Sequence, residues 1–490
     1  MIILAITVIS LGLLSFLSYG FVLSKILCVL LGMMMLLAAV TMPRDRRTGI
    51  FNPWIIFTLS FVQYYVLGPF ETVYLYDAMH YATVIYGHLR PIPADDLILS
   101  RAIVVSLVGL LFSWAGYQIY LIGSRRPATQ SGPHWEIDRS RLKRVVVVCL
   151  GVGLLSYTLF FAKVGLITYI TTPRGMRHFL YAKAEAFGFF ADFVASAFVL
   201  ASVYFLEKYS DKERRAFILI LCMLIPYAYF QMAIFSGSRI TIVRPFLILT
   251  FYYMISRGRT RLTAKLVMLG IVMLLFVVIG GVFRAYLGTP HADELAVHLL
   301  KQGWKHPKEW YGFITQSMDY VQCYDILLLL TNRSYPLGYG STYLKFIYQF
   351  IPRSIWHAKP QNVTIVMSQL FRPAQFAKGV TYSPALLGEM YYNFSMPGVV
   401  LGSFLVGIGL GWMYRLGRDR MDSAPVRFFY VTLLVCIIEQ GRGAFYNISM
   451  RYIVFYVIPF LFVCKRRAGA DFGVDQLVNV RVPGVTRGAH

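Results

Sequence analysis

Along the chain, long uninterrupted apolar stretches alternate with short polar connections in which arginine and lysine gather. Most stretches run about 17 to 22 residues, enough for a helix rising about 1.5 Å per residue to cross a hydrocarbon core of about 30 Å. The pattern predicts about twelve transmembrane helices, at 1-18, 24-42, 50-69, 97-122, 144-163, 187-206, 216-235, 240-256, 266-283, 394-414, 427-441 and 447-464. Between the ninth and tenth of these, the segment 284-395 is long, aromatic and mixed in polarity. It predicts amphipathic helices near 292-302, 308-332, 341-351 and 361-371, punctuated by Pro307, Pro336, Gly338, Gly340, Pro352 and Pro360. Their apolar faces (Phe313, Ile314, Met318, Tyr324 and Leu328, then Tyr343, Leu344, Phe346 and Ile347) suit interfacial or re-entrant helices roofing a membrane cavity. The plainer alternative is a cap over the bundle. The expected fold is an all-α polytopic membrane protein with a large outward helical loop, a single domain over 1-465 and a short disordered tail at 466-490.

Composition agrees: mean hydropathy is +0.60, and charged residues make up 14% of the chain. With the spans above, the basic loops at Pro43 to Arg47, Arg125 to Arg144, Lys208 to Arg215, Arg257 to Lys265, Arg415 to Arg420 and Lys465 to Arg467 all fall on one side. The positive-inside rule makes that side the cytoplasm and puts both termini there. The first span lacks a basic leader and a small-residue cleavage site, so it is expected to stay as a helix. A net charge of +24 would suggest nucleic acid in a soluble protein, but topology and anionic headgroups account for most of it here. No nucleic-acid partner is expected. What remains is an outward set of cations that includes Arg174, Arg177, Lys183, Arg239, Arg244, Arg284, Arg353, Lys359, Arg372, Lys378 and Arg442.

No Walker A loop, GxGxxG after a strand, HExxH or Asp-x-Asp occurs, and the six cysteines, of which Cys323 alone falls outside the spans, form no CxxC pattern. No metal or cofactor is therefore expected. Gly407, Gly409 and Gly411 read as a small-residue packing stripe. Arginine's planar fork suits bidentate contact with phosphate oxygens, and Arg174, Arg177, Arg239, Arg284, Arg353 and Arg442, with Lys359, are candidates to hold a pyrophosphate at headgroup depth. For each the plainer role is snorkelling to lipid or local pairing, as Glu439 and Arg442 could do at i,i+3. Glu389, near the outer end of a span, is the first candidate for a general base, and His357 is the second. Their plainer roles are a charge at a helix N-terminus and an interfacial hydrogen bond. Tyr339, Tyr343, Trp356 and Tyr392 are candidates to stack on sugar rings, though an interfacial aromatic belt has the same composition.

Three segments carry a family resemblance: Gly338-Tyr339-Gly340-Ser341-Thr342-Tyr343 through Phe350-Ile351-Pro352-Arg353-Ser354-Ile355-Trp356-His357-Ala358-Lys359-Pro360, then Gly388-Glu389-Met390-Tyr391-Tyr392-Asn393-Phe394, and the turn Ser236-Gly237-Ser238-Arg239. Together they resemble the O-antigen polymerase family, the Wzy-type polymerases of the bacterial inner membrane. Arg177 and Gly188 are similar to the Arg-x10-Gly pattern of some members, while a second such pattern is missing, since Thr364 stands where its glycine would be. The resemblance implies metal-independent transfer of a growing glycan from one undecaprenyl pyrophosphate to the terminal sugar of a second lipid-linked unit on the periplasmic face. It also implies membrane lipids, a flippase and a chain-length regulator as partners. Three rival readings stay open on sequence: an O-antigen ligase-type transferase, a flippase or transporter for which Lys25, Asp192 and Glu439 would be pathway groups, and a non-catalytic scaffold of a polysaccharide assembly complex.

Overall fold

The computed structural model describes residues 21–43, 45, 47–69, 96–124, 135–172, 177–207, 211–231, 235, 239–259, 261, 263, 268, 320–332, 334–348, 351, 356, 359–377 and 381–466. The predicted spans that fall on them are mainly helical; the span at 1-18 lies outside them, as does 266-283 apart from Met268. In chain order the elements are α1 (Val22–Val40), α2 (Pro53–Phe61), α3 (Asp96–Gly123), β1 (Trp135–Ile137), α4 (Arg139–Val164), α5 (Leu166–Thr171), α6 (Arg177–Lys183), α7 (Glu185–Phe190), α8 (Phe193–Glu207), α9 (Asp211–Phe230) and α10 (Arg239–Ser256). After them come α11 (Tyr320–Asn332), α12 (Ser341–Tyr348), α13 (Val363–Phe371), α14 (Pro373–Ala377), α15 (Ala385–Arg420), α16 (Ala424–Gln440), α17 (Phe445–Tyr452), α18 (Ile458–Val463) and β2 (Cys464–Arg466). Wider π turns prolong α2 over Val62–Val66 and join α17 to α18 over Ile453–Val457.

Local chemistry starts these helices where the polarity changes. Asn52 caps α2 by accepting from the Trp54 amide at 2.9 Å, with Pro53 in the first turn where a missing N–H costs nothing. Asp138 caps α4 through the Ser140 and Arg141 amides at 2.9 and 3.1 Å. The helices then pack by close approach. A Cβ at Gly407 of α15 would lie 2.0 Å from the Ser113 carbonyl oxygen of α3, and one at Gly116 would lie 2.2 Å from that of Phe404. Gly411 packs on the Tyr120 ring, whereas Gly409 faces open space and is no part of the expected stripe.

Among the described residues, the two largest of four buried clusters organise the bundle. One joins α1, α2, α3, α11 and α15 around Leu31, Trp54, Tyr65, Tyr324 and Leu387; the other joins α8, α10, α16, α17 and α18 around Leu200, Tyr252, Phe428 and Phe455. The outside of the bundle is equally apolar, with Val147 68%, Leu155 58%, Leu401 65%, Leu405 65% and Phe462 68% exposed. A face like this needs hydrocarbon around it. Among the described residues five helices, Val22–Val40, Asp96–Gly123, Arg139–Val164, Glu185–Glu207 and Ala385–Arg420, are long and apolar enough to cross a membrane. The chain is an all-α membrane protein.

Contacts at each end of the bundle tie its loops and helix ends together. At one end Arg47 pairs with Asp422 at 3.4 Å, Ser423 donates to the Trp135 carbonyl, β1 pairs antiparallel with β2, and Arg427 meets Glu207 at 2.8 Å. At the other, the Leu23 and Ser24 amides donate to Asp96 at 2.9 Å, Asn332 donates to the Ile98 carbonyl, and Ser383 donates to the Arg442 carbonyl at 2.6 Å. Within the loop expected to hold interfacial or re-entrant helices, α11 packs into protein. Its Cys323, Tyr324, Ile326, Leu327 and Leu328 are buried, and Tyr324 fits against Gly68, so this part of the loop is built into the bundle.

Candidate active site at a broken helix

Pro397 explains the most informative irregularity. Proline has no N–H, and its ring crowds the carbonyl four residues earlier, here Asn393. Accordingly α15 breaks at Phe394 (φ −142°, ψ 19°) and Ser395 (φ 54°, ψ −146°), leaving a short outer leg, 385–393, and a long leg below. The expected span began at 394; the structure starts the helix at Ala385 and interrupts it there instead. Buried carbonyls released by such a break need new donors. The Gly338 amide supplies one to Tyr392 O and the Tyr339 amide one to Asn393 O, each at 3.0 Å. Gly338 is a glycine because the Tyr392 ring lies 2.5 Å from where its Cβ would be.

Asn393 completes the clamp with its side chain, which is fully buried. Its Oδ1 accepts from the Gly340 amide at 2.9 Å, and its Nδ2 donates to Thr342 Oγ1 at 2.7 Å and to the Glu389 carbonyl at 2.8 Å. The loop that carries the family resemblance is thus fastened to the break.

Glu389 lies one turn before Asn393 and is 1% exposed. One carboxylate oxygen, Oε2, accepts from the Phe445 amide at 2.7 Å, while Oε1 has no hydrogen-bond partner among the described residues. The Thr342 hydroxyl and the Ala444 amide lie beside the carboxylate, short of full hydrogen-bond geometry with Oε1. Because Phe445 begins α17, the carboxylate sits where unpaired amides and the helix dipole favour an anion. The helix end that Glu389 serves is therefore not its own. The turn before α17 reaches α15 through Gly443, at φ 91°, where a Cβ would meet the Ala385 backbone at 2.4 Å. Tyr343 packs edge-on against Phe445 at 5.8 Å, and the Lys345 ammonium lies 5.3 Å over the Tyr446 ring. Burial raises the Tyr343 hydroxyl above the usual tyrosine range.

The other candidates are dispersed. Arg177 donates through Nε to the Thr172 carbonyl at 3.0 Å and through a terminal nitrogen to that of Ile170 at 2.9 Å, with its guanidinium 5.5 Å over the Tyr169 ring. It thereby closes the end of α5 in a separate aromatic cluster with Phe160 and Phe235. Gly188, its partner in the Arg-x10-Gly pattern, is where the Tyr181 ring comes within 2.4 Å of a would-be Cβ. Lys359 is buried and donates to the Ile351 carbonyl at 3.0 Å. Trp356 packs edge-on against Tyr348 at 5.2 Å. Tyr339 is 75% exposed, whereas Tyr392 is buried and stacked on Tyr335 at 5.8 Å. Arg442 stands in the turn before α17, its amide donating to the Glu439 carbonyl at 3.0 Å. Arg239 opens α10; its side chain, with Arg174, Arg284, Arg353 and His357, lies outside the described residues.

Arg244, counted with the outward cations on sequence, is buried. It forms a two-pronged pair with Glu439, both contacts at 2.7 Å, and the Tyr452 hydroxyl donates to the same carboxylate at 2.6 Å. This replaces the Glu439 and Arg442 side-chain pair suggested by spacing. Asp192 is likewise paired with Arg451. Cys323, expected outside, is buried beside the Arg442 carbonyl. Sequence reasoning missed Thr342, Asn393 and the Phe445 amide; Pro397, four residues after Asn393, is the signal that pointed to them. Among the described residues no three His, Cys, Asp or Glu side chains gather as a metal would need. Comparison of the chain with protein-family models, curated proteins and solved structures finds no match in any of the three.

Proposed function

We propose that the protein is a glycan polymerase of the bacterial inner membrane, of the O-antigen polymerase kind, with twelve spans and both termini in the cytoplasm. It joins undecaprenyl-pyrophosphate-linked oligosaccharide repeat units on the periplasmic face. In this reading the acceptor hydroxyl attacks the anomeric carbon of the donor glycan. The bond to the pyrophosphate breaks with its electron pair, and Glu389 takes the hydroxyl proton on Oε1. Outward cations such as Arg442 and Lys359 neutralise the leaving pyrophosphate, and a flippase and a chain-length regulator work beside the enzyme.

The observation that carries the reading is the Glu389 carboxylate. It is buried near the outer end of a membrane helix, held on one oxygen by a helix N-terminus and unpartnered on the other among the described residues. A carboxylate kept in that state is costly unless it serves a purpose. A transport route has less support, because Asp192 and Glu439 are each tied to an arginine.

The test is polymerisation by purified protein of the lipid-linked pool that accumulates in a strain lacking this gene, with products resolved by length. Glu389→Gln is expected to lower kcat by about 100-fold to 10,000-fold while leaving the apparent affinity for the pool unchanged. Full-length product from Glu389→Gln, or no elongation by the wild type, overturns the assignment.

A further inference from the structure

We infer that Thr342 is a positioning residue for Glu389, its hydroxyl turned toward the carboxylate by Asn393, which the Gly340 amide holds in a single orientation. The inference rests on Glu389 acting as the base, and it adds a residue that neither the resemblance nor the spacing of charges singled out.

The chain of donors and acceptors runs one way. The Gly340 N–H donates to Asn393 Oδ1, so the amide cannot flip without setting two donors against each other. Nδ2 must then be the atom facing Thr342, and it donates to Oγ1. A hydroxyl that accepts from an amide N–H keeps its own proton for another acceptor, and Asn393 Nδ2 bonds that hydroxyl at 2.7 Å and the Glu389 carbonyl at 2.8 Å, so Thr342 and Glu389 meet at one buried atom. The clamp is rigid, since Asn393 and Thr342 are 0% and 5% exposed and Nδ2 also holds the Glu389 carbonyl. One Asn393 side chain therefore fixes both the backbone of Glu389 and the hydroxyl that faces its carboxylate. This is the base-and-orienter arrangement expected of a buried base that must present one oxygen to a substrate. Thr342 is the second residue of α12. Its oxygen serves Asn393.

The experiment uses the full-length protein and the same lipid-linked pool. Thr342→Val removes the hydroxyl and keeps the shape, and Asn393 retains its bonds to Gly340 and Glu389. Expected is a fall in kcat of about tenfold, the weight of one lost hydrogen bond to a charged group, with KM unchanged. Thr342→Ser should restore most of the rate. In the double variant with Glu389→Gln, the Thr342→Val loss should disappear, because the hydroxyl acts only through that carboxylate. If Thr342→Val lowers the melting temperature, Thr342→Ala takes its place in the comparison. Wild-type kcat in Thr342→Val while Glu389→Gln is inactive overturns the inference and leaves the polymerase reading standing. A loss that serine does not rescue, or one that multiplies with Glu389→Gln, also overturns it. Wild-type activity in Glu389→Gln removes the base, and both proposals fall.

Discussion

The Arg244 and Glu439 pair offers the sharpest test of how the bundle around the site is held. Their side chains are 4% and 3% exposed, and the two N–H···O contacts at 2.7 Å leave each charge answered by the other. Glu439→Leu keeps much of the volume but leaves the guanidinium charged with no counter-charge. Removing one partner of a buried pair costs about 3 to 5 kcal/mol, far above the roughly 0 to 1 kcal/mol of an exposed one. Arg244→Met, which strands the carboxylate, should cost a similar amount. The double variant Arg244→Met with Glu439→Leu should recover most of the loss, because an apolar replacement of both partners is often neutral. A residue of about 1 kcal/mol is expected to persist, since the Tyr452 hydroxyl loses its acceptor. Reversible unfolding in mixed micelles, followed by tryptophan fluorescence, measures all four proteins. Single-variant losses below about 1 kcal/mol, or simple additivity in the cycle, would refute the view that this pair is desolvated and mutually dependent.

Gly407→Ala should destabilise by about 1 to 3 kcal/mol in the same assay, because its Cβ would press on the Ser113 carbonyl and part α3 from α15. Gly409→Ala, with nothing within 4 Å, should be neutral or gain up to about 1 kcal/mol in helix propensity. Ser395 occupies backbone space that only glycine enters freely, so Ser395→Gly should stabilise by about 1 kcal/mol; a loss of that size would show that its hydroxyl matters more than its backbone. The Arg141 amide, with that of Ser140, holds the Asp138 carboxyl below the usual carboxylate range. The folded pKa then lies below the unfolded one, so the cap stabilises above about pH 3.9 and is lost as pH falls through the folded value. Asp138→Asn should remove that part of the acid dependence, read as helical circular dichroism against pH, and an unchanged acid limb would mean that the cap contributes little.

The helices were legible because a lipid-facing or core-facing residue is apolar either way, and hydropathy does not need to know which. That indifference is also why finer assignments failed. Arg244 stands five residues from a predicted outward turn, and only packing against α16 and α17 reveals that it points into protein. Tyr392 has the composition of a sugar platform, but Tyr335 covers it. Arg177 has the fork for a phosphate, yet part of that fork is used on carbonyls that the end of α5 leaves open. Glu389 was legible as a carboxylate near a boundary. Its partner was not, because the Phe445 amide is a backbone group 56 residues away that carries no mark in sequence.

The break in α15 has a bearing on how this protein tolerates change in length. In an unbroken α-helix each added residue turns everything beyond it by about 100°, so an insertion in the lower leg would swing Glu389 off the α17 N-terminus. With the helical register lost at Phe394 and Ser395, the outer leg takes its rotational phase from Gly338, Tyr339 and Phe445 instead. An insertion below the break strains the packing of α15 on α3 but need not turn the carboxylate, whereas one between Glu389 and Asn393 must.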